Sequence, residues 1–215
     1  FAQSDVDELG KHSTIPVINA LTDDDHPTQL LADWITIREK FGKDISGRKF
    51  VYLGDGNNMA TAWLIMGATM GAHVVVATPS GKWAPKQEVV NQAIEIAKKS
   101  GGKVEVLNDP EAAAKDASVL YTDVWMSMGD SESDRTEKVA ALSPFAVTDK
   151  LMSLSTKDSI FMHCLPAHRG EEVAASVIDG AKSVIWRQAF HRRTTIQALL
   201  YHLTRGDLTG NLADN

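Results

Sequence analysis

The stretch Ser159-Ile-Phe-Met-His-Cys-Leu-Pro-Ala-His-Arg-Gly-Glu-Glu172 carries the pattern that decides the fold. Residues Ile160–Met162 form a short apolar run typical of a buried strand. Pro166 must end that strand, because proline cannot donate to a sheet ladder. The pattern then predicts a charged loop and a helix that begins at Glu171. Ligands of open α/β sheets bind at the carboxyl ends of the strands, so Cys164 and its polar neighbours are placed for chemistry.

The same alternation of strand and helix repeats along most of the chain. It predicts a doubly wound α/β fold, in which helices cover both faces of a parallel sheet. The predicted strands are Lys49–Gly54, His73–Ala77, Lys103–Leu107, Ser118–Asp123, Ser159–His163 and Ser183–Trp186. The predicted helices are Asn58–Met70, Pro85–Ser100, Pro110–Lys115, Arg135–Leu142, Glu171–Ile178 and about Arg193–Thr204.

Residues 1–41 precede this repeat and have a different pattern. We expect a helix from Ser4 to His12, a strand at Ile15–Leu21, and a helix from Pro27 to about Lys40. A break near residue 42 predicts a domain boundary. The chain begins with Phe1 and enters almost directly into a helix pattern, so we expect that an upstream part is missing.

Composition excludes several classes of protein. A net charge of −6 argues against a general nucleic-acid binder. A single cysteine permits no internal disulfide, which fits a reducing compartment such as the cytoplasm. The apolar stretch Met59–Ala77 is interrupted by Gly67 and Gly71 and is better interpreted as a buried helix and strand than as a membrane span.

The turn Gly54-Asp-Gly-Asn-Asn-Met59 partly matches the dinucleotide fingerprint. Its third glycine is replaced by Met59, and no acidic residue for a ribose follows before Lys86. Nicotinamide and flavin cofactors are therefore disfavoured. The turn still directs Asn57 and Asn58 to the carboxyl edge of the sheet.

Five further side chains each allow a functional and a structural interpretation. His26 and Gln29 lie in a first helical turn, which favours anions, although His26 could merely cap the helix. Asp123 could pair with a substrate ammonium or stabilise a turn. Arg192 suits a phosphate but could be a surface charge. Cys164 beside His163 suggests a nucleophile or a zinc ligand, yet the usual structural zinc patterns need a second cysteine.

Taken together, the motifs resemble those of the ornithine carbamoyltransferase family in order and spacing. The resemblance implies a Rossmann-like ornithine-binding domain over residues 42–186 and a remnant of a carbamoyl-phosphate-binding α/β domain over residues 1–41. It also implies a C-terminal helix, residues 187–215, that packs back toward the first domain. The motifs are His26-Pro-Thr-Gln29, Gly54-Asp-Gly-Asn-Asn58, Asp123-Val-Trp-Met-Ser-Met-Gly129 and His163-Cys-Leu-Pro-Ala-His-Arg-Gly170.

The resemblance implies transfer of the carbamoyl group from carbamoyl phosphate to the δ-amine of L-ornithine, which gives L-citrulline and phosphate for arginine metabolism. No metal or organic cofactor, nucleic acid or membrane is implied. Full-length members form homotrimers, which is doubtful for this piece. The carbamoyl-phosphate residues would be His26, Gln29, Cys164, Leu165 and Arg192, with His26, Cys164 and Arg192 catalytic. The ornithine residues would be Asn58, Asp123, Ser127 and Met128.

Two departures from the family pattern limit these expectations. The phosphate-binding Ser-x-Arg-Thr-Arg motif occurs nowhere in the chain. The common Asp-Glu-Ala-Glu-Asn-Arg is replaced by Arg187-Gln-Ala-Phe-His-Arg192. We therefore expect the 215-residue chain by itself to be nearly inactive. A non-catalytic amino-acid-binding paralogue and a carbamoyltransferase for another amine remain as alternatives.

Overall fold

Five parallel strands form one sheet in the order β3-β2-β1-β4-β5 in the computed structural model, which describes residues 2–45, 47–126 and 132–205. The order reverses between β1 and β4, so the sheet is doubly wound and its topological switch point lies between these strands. The strands are β1 Lys49–Leu53, β2 His73–Ala77, β3 Lys103–Leu107, β4 Ala117–Thr122 and β5 Ile160–His163.

Helices cover both faces of the sheet. In chain order they are α1 Gln3–His12, α2 Pro27–Phe41, α3 Asn58–Thr69, α4 Gln87–Ser100, α5 Pro110–Ala114, α6 Arg135–Leu142, α7 Asp149–Leu154, α8 Ala175–Ile178 and α9 Ile185–Arg205. The prediction of an α/β fold with a parallel sheet is confirmed.

Alternation along the central strands divides the core between the two faces. Tyr52 and Tyr121 point to one face, where they pack with Trp63 of α3. Val51 and Leu120 point to the other face, against α5, α7 and α8. Tyr121 is fully buried, yet its phenol lies at the carboxyl end of β4, so the core extends directly into the candidate site.

Helices α2 and α9 pack against each other beside the sheet. The apolar residues of α2, including Leu30, Trp34 and Ile37, face the core. The buried face of α9 instead combines Ile185 with the polar side chains Gln188 and His191. Because α9 packs on α2, polar side chains from the two ends of the chain meet at this face.

Several predicted elements were wrong. Ser183–Trp186 is not a strand: Ser183 forms an isolated bridge with Phe161, and α9 begins at Ile185. The last helix therefore starts eight residues earlier than predicted, and Arg192 lies inside it. Residues 15–21 have no regular structure, and the helix predicted from Glu171 begins only at Ala175.

No helix within the described ranges is both long enough and apolar enough to cross a membrane.

Candidate active site

The turn after β1 meets the end of β4 at the switch point of the sheet. Asn57 begins α3, because its side-chain oxygen accepts hydrogen bonds from the Met59 and Ala60 amides at 2.9 and 3.2 Å. Its amide nitrogen donates to Asp123 Oδ2 at 3.1 Å. One asparagine thus caps the helix and orients the carboxylate that follows β4.

Gly56 is required in this turn by close packing. A Cβ atom there would lie 2.3 Å from the carbonyl carbon of Ala84 and 2.3 Å from the nitrogen of Pro85, both backbone atoms. The Gly56 amide also donates to the Trp83 carbonyl at 2.8 Å. The second glycine of the partial dinucleotide fingerprint therefore has a structural reason in this turn.

Cys164 lies at the end of β5 and contacts the same carboxylate. Its thiol donates to Asp123 Oδ1 at 2.8 Å. Burial raises the pKa of the Cys164 thiol well above its usual range, and the charge of Asp123 raises it further. A neutral thiol that donates to a carboxylate is a poor nucleophile, since the thiolate is the reactive form.

The segment after Cys164 is held by buried polar groups. Leu165 has a φ of 62°, an unusual conformation for a side chain of this size, and its amide donates to His163 Nδ1 at 2.8 Å. The His163 ring lies 3.3 Å from the fully buried Glu172 carboxylate. Glu172 also accepts a hydrogen bond from the His168 amide. These contacts fix the backbone around Cys164 and Leu165.

Residues of α2 and α9 form a second cluster. Arg192 donates to the side-chain oxygen of Gln29, and its Nη1 lies 3.3 Å from His26 Nε2. Burial, together with the positive charge of Arg192, lowers the pKa of His26 to about 4. His26 is therefore neutral at pH 7, which leaves Arg192 as the positive charge of the cluster.

Asp33 and Gln188 join the two clusters beneath the surface. Both side chains are buried, and Asp33 Oδ1 accepts hydrogen bonds from the amides of Gln29 and Gln188, each at 2.7 Å. The Gln188 oxygen accepts from the His163 amide at 3.0 Å, next to Cys164. Burial raises the pKa of Asp33 to about 7, although the hydrogen bonds from both amides oppose this rise.

Tyr121 also contacts Gln188. Gln188 donates to its phenol oxygen at 3.3 Å. The side chains of Arg192, Gln29, Asp33, Gln188 and the backbone of His163 thus form one continuous chain of hydrogen bonds.

Among the predicted site residues, the structure brings His26, Gln29 and Arg192 together, and it brings Asp123 and Cys164 together. The amide that donates to Asp123 is that of Asn57, whereas Asn58 bonds elsewhere. Its amide donates to the Thr22 carbonyl at 3.0 Å, which ties α3 to the segment before α2. Ser127 and Met128 lie outside the described residues.

The altered stretch before Arg192 does not disrupt the contacts of Arg192 with Gln29 and His26. Arg187 forms a two-pronged ion pair with Glu39 of α2, and His191 Nε2 lies 2.9 Å from the same carboxylate. Phe190 is exposed and stacks on the Arg187 and Arg193 guanidinium groups. Arg187 and His191 therefore hold α9 against α2, whereas Gln188, another substituted residue, donates to the buried Asp33 that also binds Gln29.

Two groups of side chains in the described part of the chain have metal-ligand atoms within 4.8 Å of one another. One is Asp123, His163 and Cys164, and the other is His168, Glu171 and Glu172. In the first group, the Cys164 thiol and the His163 Nδ1 atom already take part in hydrogen bonds. The absence of a metal requirement stays a prediction.

Sequence reasoning did not identify four residues of the site: Asp33, Asn57 as the partner of Asp123, Tyr121 and Gln188. Two of them had a detectable signal: Asn57 lies in the turn that was predicted to face the carboxyl edge of the sheet, and Asp33 follows Gln29 by four residues and so shares its helix face. Tyr121 and Gln188 had none, because their contacts are between residues far apart in the chain.

A family model described as "Aspartate/ornithine carbamoyltransferase, Asp/Orn binding domain" matches residues 46–203. A second, described as the carbamoyl-P binding domain of the same family, matches residues 1–39. The chain belongs to the aspartate/ornithine carbamoyltransferase family.

Individual members of this family support the assignment. An ornithine carbamoyltransferase of Anoxybacillus flavithermus is 50% identical over 94% of this chain and 64% of its own length. The solved structure of ornithine carbamoyltransferase from Pyrococcus furiosus matches with a TM-score of 0.88 and 50% identity, covering 93% of this chain and 63% of that one. The chain thus spans slightly less than two thirds of these carbamoyltransferases.

Proposed function

We propose that this chain is the ornithine-binding part, with one edge of the carbamoyl-phosphate-binding part, of an enzyme that carbamoylates L-ornithine. The products are L-citrulline and phosphate. The proposal extends to the whole protein what the names of the relatives say of them. Within the chain, residues 42–186 would bind ornithine, residues 1–41 would belong to the first domain, and α9 would connect the two.

The contact of Asp123 with Cys164 and Asn57 is the observation that carries the proposal. It places a carboxylate at the switch point of the sheet, where an amino-acid ammonium would find an anionic partner. The positive Arg192 lies in the second cluster, which hydrogen bonds connect to the His163 backbone next to Cys164. The chain therefore offers an anionic group for one substrate and a cationic group for the other.

On the carbamoyl-phosphate side, His26, Gln29 and Arg192 would bind the donor. Arg192 can hold phosphate oxygens through the guanidinium nitrogens that Gln29 does not use. A neutral His26 offers one N–H donor, which can stabilise negative charge on the carbonyl oxygen as the tetrahedral intermediate forms. The backbone at Cys164 and Leu165 would contact the carbamoyl amide.

On the ornithine side, Asp123 would pair with the α-ammonium, with Asn58, Ser127 and Met128 as further contacts. The δ-amine must lose its proton before its lone pair attacks the carbonyl carbon. As the tetrahedral intermediate collapses, the C–O bond to phosphate breaks and the phosphate takes the proton from the nitrogen. Positioning two small reactants accounts for much of such a rate increase.

The test uses two proteins: this chain, and the same chain extended by the N-terminal segment of the Pyrococcus furiosus relative. We expect the extended chain to form citrulline from carbamoyl phosphate and ornithine, and the chain by itself to be nearly inactive. Arg192→Met in the extended chain should lower kcat/KM at least about a hundredfold. The exposed Arg193→Met is the matched control and should leave it unchanged.

Two results would contradict the proposal. A rate with another amine that exceeds the rate with ornithine would favour a different carbamoyltransferase. Ornithine binding without any effect of carbamoyl phosphate, measured by calorimetry, would favour a non-catalytic binding protein. A cytoplasmic location and a homotrimer of the whole protein are further proposals, which fractionation and light scattering would test.

A further inference from the structure

The backbone turn after β5 holds Leu165 in an unusual conformation. Its φ of 62° is rare for a side chain of this size, so contacts around the residue must keep it there. The Leu165 side chain packs with the apolar cluster on the α7 and α8 face of the sheet, whereas Cys164 packs on the opposite face. The backbone between them therefore lies at the carboxyl edge of the sheet, where the proposed carbamoyl site is.

The contact that holds this backbone also assigns a proton. The Leu165 amide donates to His163 Nδ1 at 2.8 Å. A ring nitrogen accepts only while it carries no proton, since otherwise two N–H groups would face each other. The proton of a neutral His163 ring therefore belongs on Nε2.

Glu172 is the carboxylate that faces this proton. Its Oε1 atom lies 3.3 Å from His163 Nε2, and both side chains are completely buried. Oε1 accepts from the His168 amide at 2.5 Å, whereas His163 Nε2 has no hydrogen-bond partner in the part of the chain that the structure describes. The contact of Glu172 with the ring is therefore electrostatic, and the negative oxygen favours a proton on the near nitrogen, Nε2, over one on Nδ1.

Three other ionisable side chains lie close to these two and do not take over this role. Asp123 has an oxygen within 4.8 Å of a His163 ring nitrogen, but its two oxygens already accept from three other groups. Cys164 is one of these three donors. His168 Nδ1 lies 4.0 Å from the second oxygen of Glu172, and its side chain is mostly exposed.

We propose that His163 and Glu172 are positioning residues for the proposed carbamoyl-transfer site. Glu172 keeps the ring proton on Nε2, and the unprotonated Nδ1 holds the Leu165 amide. Leu165 then stays in the left-handed conformation that presents the Cys164–Leu165 backbone to the carbamoyl group. This last step rests on the proposed function, and neither positioning residue needs to touch a substrate.

The experiment first records nitrogen-15 NMR spectra of this chain at about pH 7. The protonated and the unprotonated nitrogen of a neutral imidazole resonate far apart, so the His163 ring signals show where the proton is. Hydrogen exchange of the Leu165 amide shows whether Nδ1 holds it. Exchange of the Val75 amide, in the centre of the sheet, reports separately on global unfolding.

Two matched pairs of variants separate the proposed contacts from mere bulk. H163N keeps an acceptor oxygen in the place of Nδ1, whereas H163L removes the acceptor. E172Q keeps an oxygen that can face the ring, whereas E172L removes it. The control is E171Q, because the neighbouring Glu171 pairs with Arg135 instead.

We expect wild type to carry the ring proton on Nε2 and to protect the Leu165 amide from exchange. H163N, E172Q and E171Q should keep this protection. H163L and E172L should exchange the Leu165 amide at least about tenfold faster, the effect of one lost hydrogen bond, with Val75 unchanged. In E172L, part of the ring proton should also move to Nδ1.

The same variants of the extended chain connect this geometry to the reaction. H163L and E172L should raise the KM for carbamoyl phosphate about tenfold, while H163N and E172Q stay close to wild type. A merely structural role would lower the fraction of folded enzyme, and with it kcat, at an unchanged KM. Release of Leu165 without a change in KM would therefore overturn the inference.

A wild-type ring with its proton on Nδ1, or on both nitrogens, would equally overturn it. So would H163L with a protected Leu165 amide, or H163N with an unprotected one. If the two leucine variants do not fold, the wild-type ring spectrum and the H163N exchange rate still decide. If the extended wild type forms no citrulline, the proposed function fails, while the spectra of this chain decide whether His163 and Glu172 hold Leu165.

Discussion

At the scale of single residues, Cys164 is the clearest case in which geometry selects among chemical roles. From the sequence, Cys164 could be a nucleophile, a zinc ligand or part of the wall of a substrate pocket. The thiol is half-buried, donates to Asp123, and has a raised pKa. These features indicate a neutral thiol that acts as a hydrogen-bond donor and contributes through its position in the site.

Cys164→Ser should therefore weaken substrate positioning without abolishing turnover. A serine hydroxyl can still donate to Asp123, although the shorter C–O bond shifts the donor. In the extended enzyme we expect a higher KM for ornithine, with kcat retained within about a factor of ten. Steady-state kinetics with ornithine as the varied substrate measures both. Complete loss of turnover with unchanged ornithine binding would restore the nucleophile interpretation.

At the scale of elements, apolar patterning predicted the five strands because each is a short run of β-branched and aromatic residues ending at a polar turn. The same reasoning failed for α9. Val184, Ile185 and Trp186 resemble a strand, but Trp186 is 72% exposed while Gln188 and His191 are buried. In the first part of α9 two of the three buried residues are polar, so a search for apolar periodicity does not detect it there; only the last part, about Arg193–Thr204, was predicted.

Helix α2 has a buried apolar face and, toward α9, an exposed ion pair, and we expect these to contribute very differently to stability. Arg187 and then His191 lower the pKa of Glu39 to about 2, but the Glu39 side chain is 41% exposed and solvent screens the pair. Glu39→Gln should reduce the free energy of unfolding by less than about 1 kcal/mol.

Ile37, two residues earlier on α2, is fully buried and provides the comparison. Ile37→Ala should cost about 2–5 kcal/mol, because it removes buried apolar contacts and leaves a cavity. Urea unfolding at low and high salt measures both variants, and only the Glu39→Gln effect should shrink with salt. Equal losses for the two variants would mean that the ion pair contributes as much to stability as the buried face of α2.

At the scale of the whole molecule, the site is assembled from segments far apart in the sequence. The sequence placed the carboxyl ends of β1, β4 and β5 at one edge, since parallel strands of one sheet share that edge. It could not place Gln188 against Asp33, because that contact depends on how α9 crosses α2. Local patterns specify elements, whereas the register between distant helices follows from packing of the complete core.

The burial of Asp33 should make the stability of the whole fold depend on pH. Its pKa rises from 3.8 to about 7 on folding, chiefly because of burial. Below about pH 4 both states are protonated. Between about pH 4 and pH 7 the unfolded chain ionises while the folded chain does not, so stability falls as pH rises, by on the order of 4 kcal/mol.

Asp33→Asn should remove this component of the pH dependence, since the amide does not ionise. Relative to wild type, the variant should therefore gain free energy of unfolding as the pH is raised from about 4 to about 8. Urea unfolding at several pH values measures the difference, and Asp5→Asn in the exposed helix α1 is the control. Parallel curves for wild type and Asp33→Asn would show that the carboxyl group is already ionised in the folded protein at acidic pH.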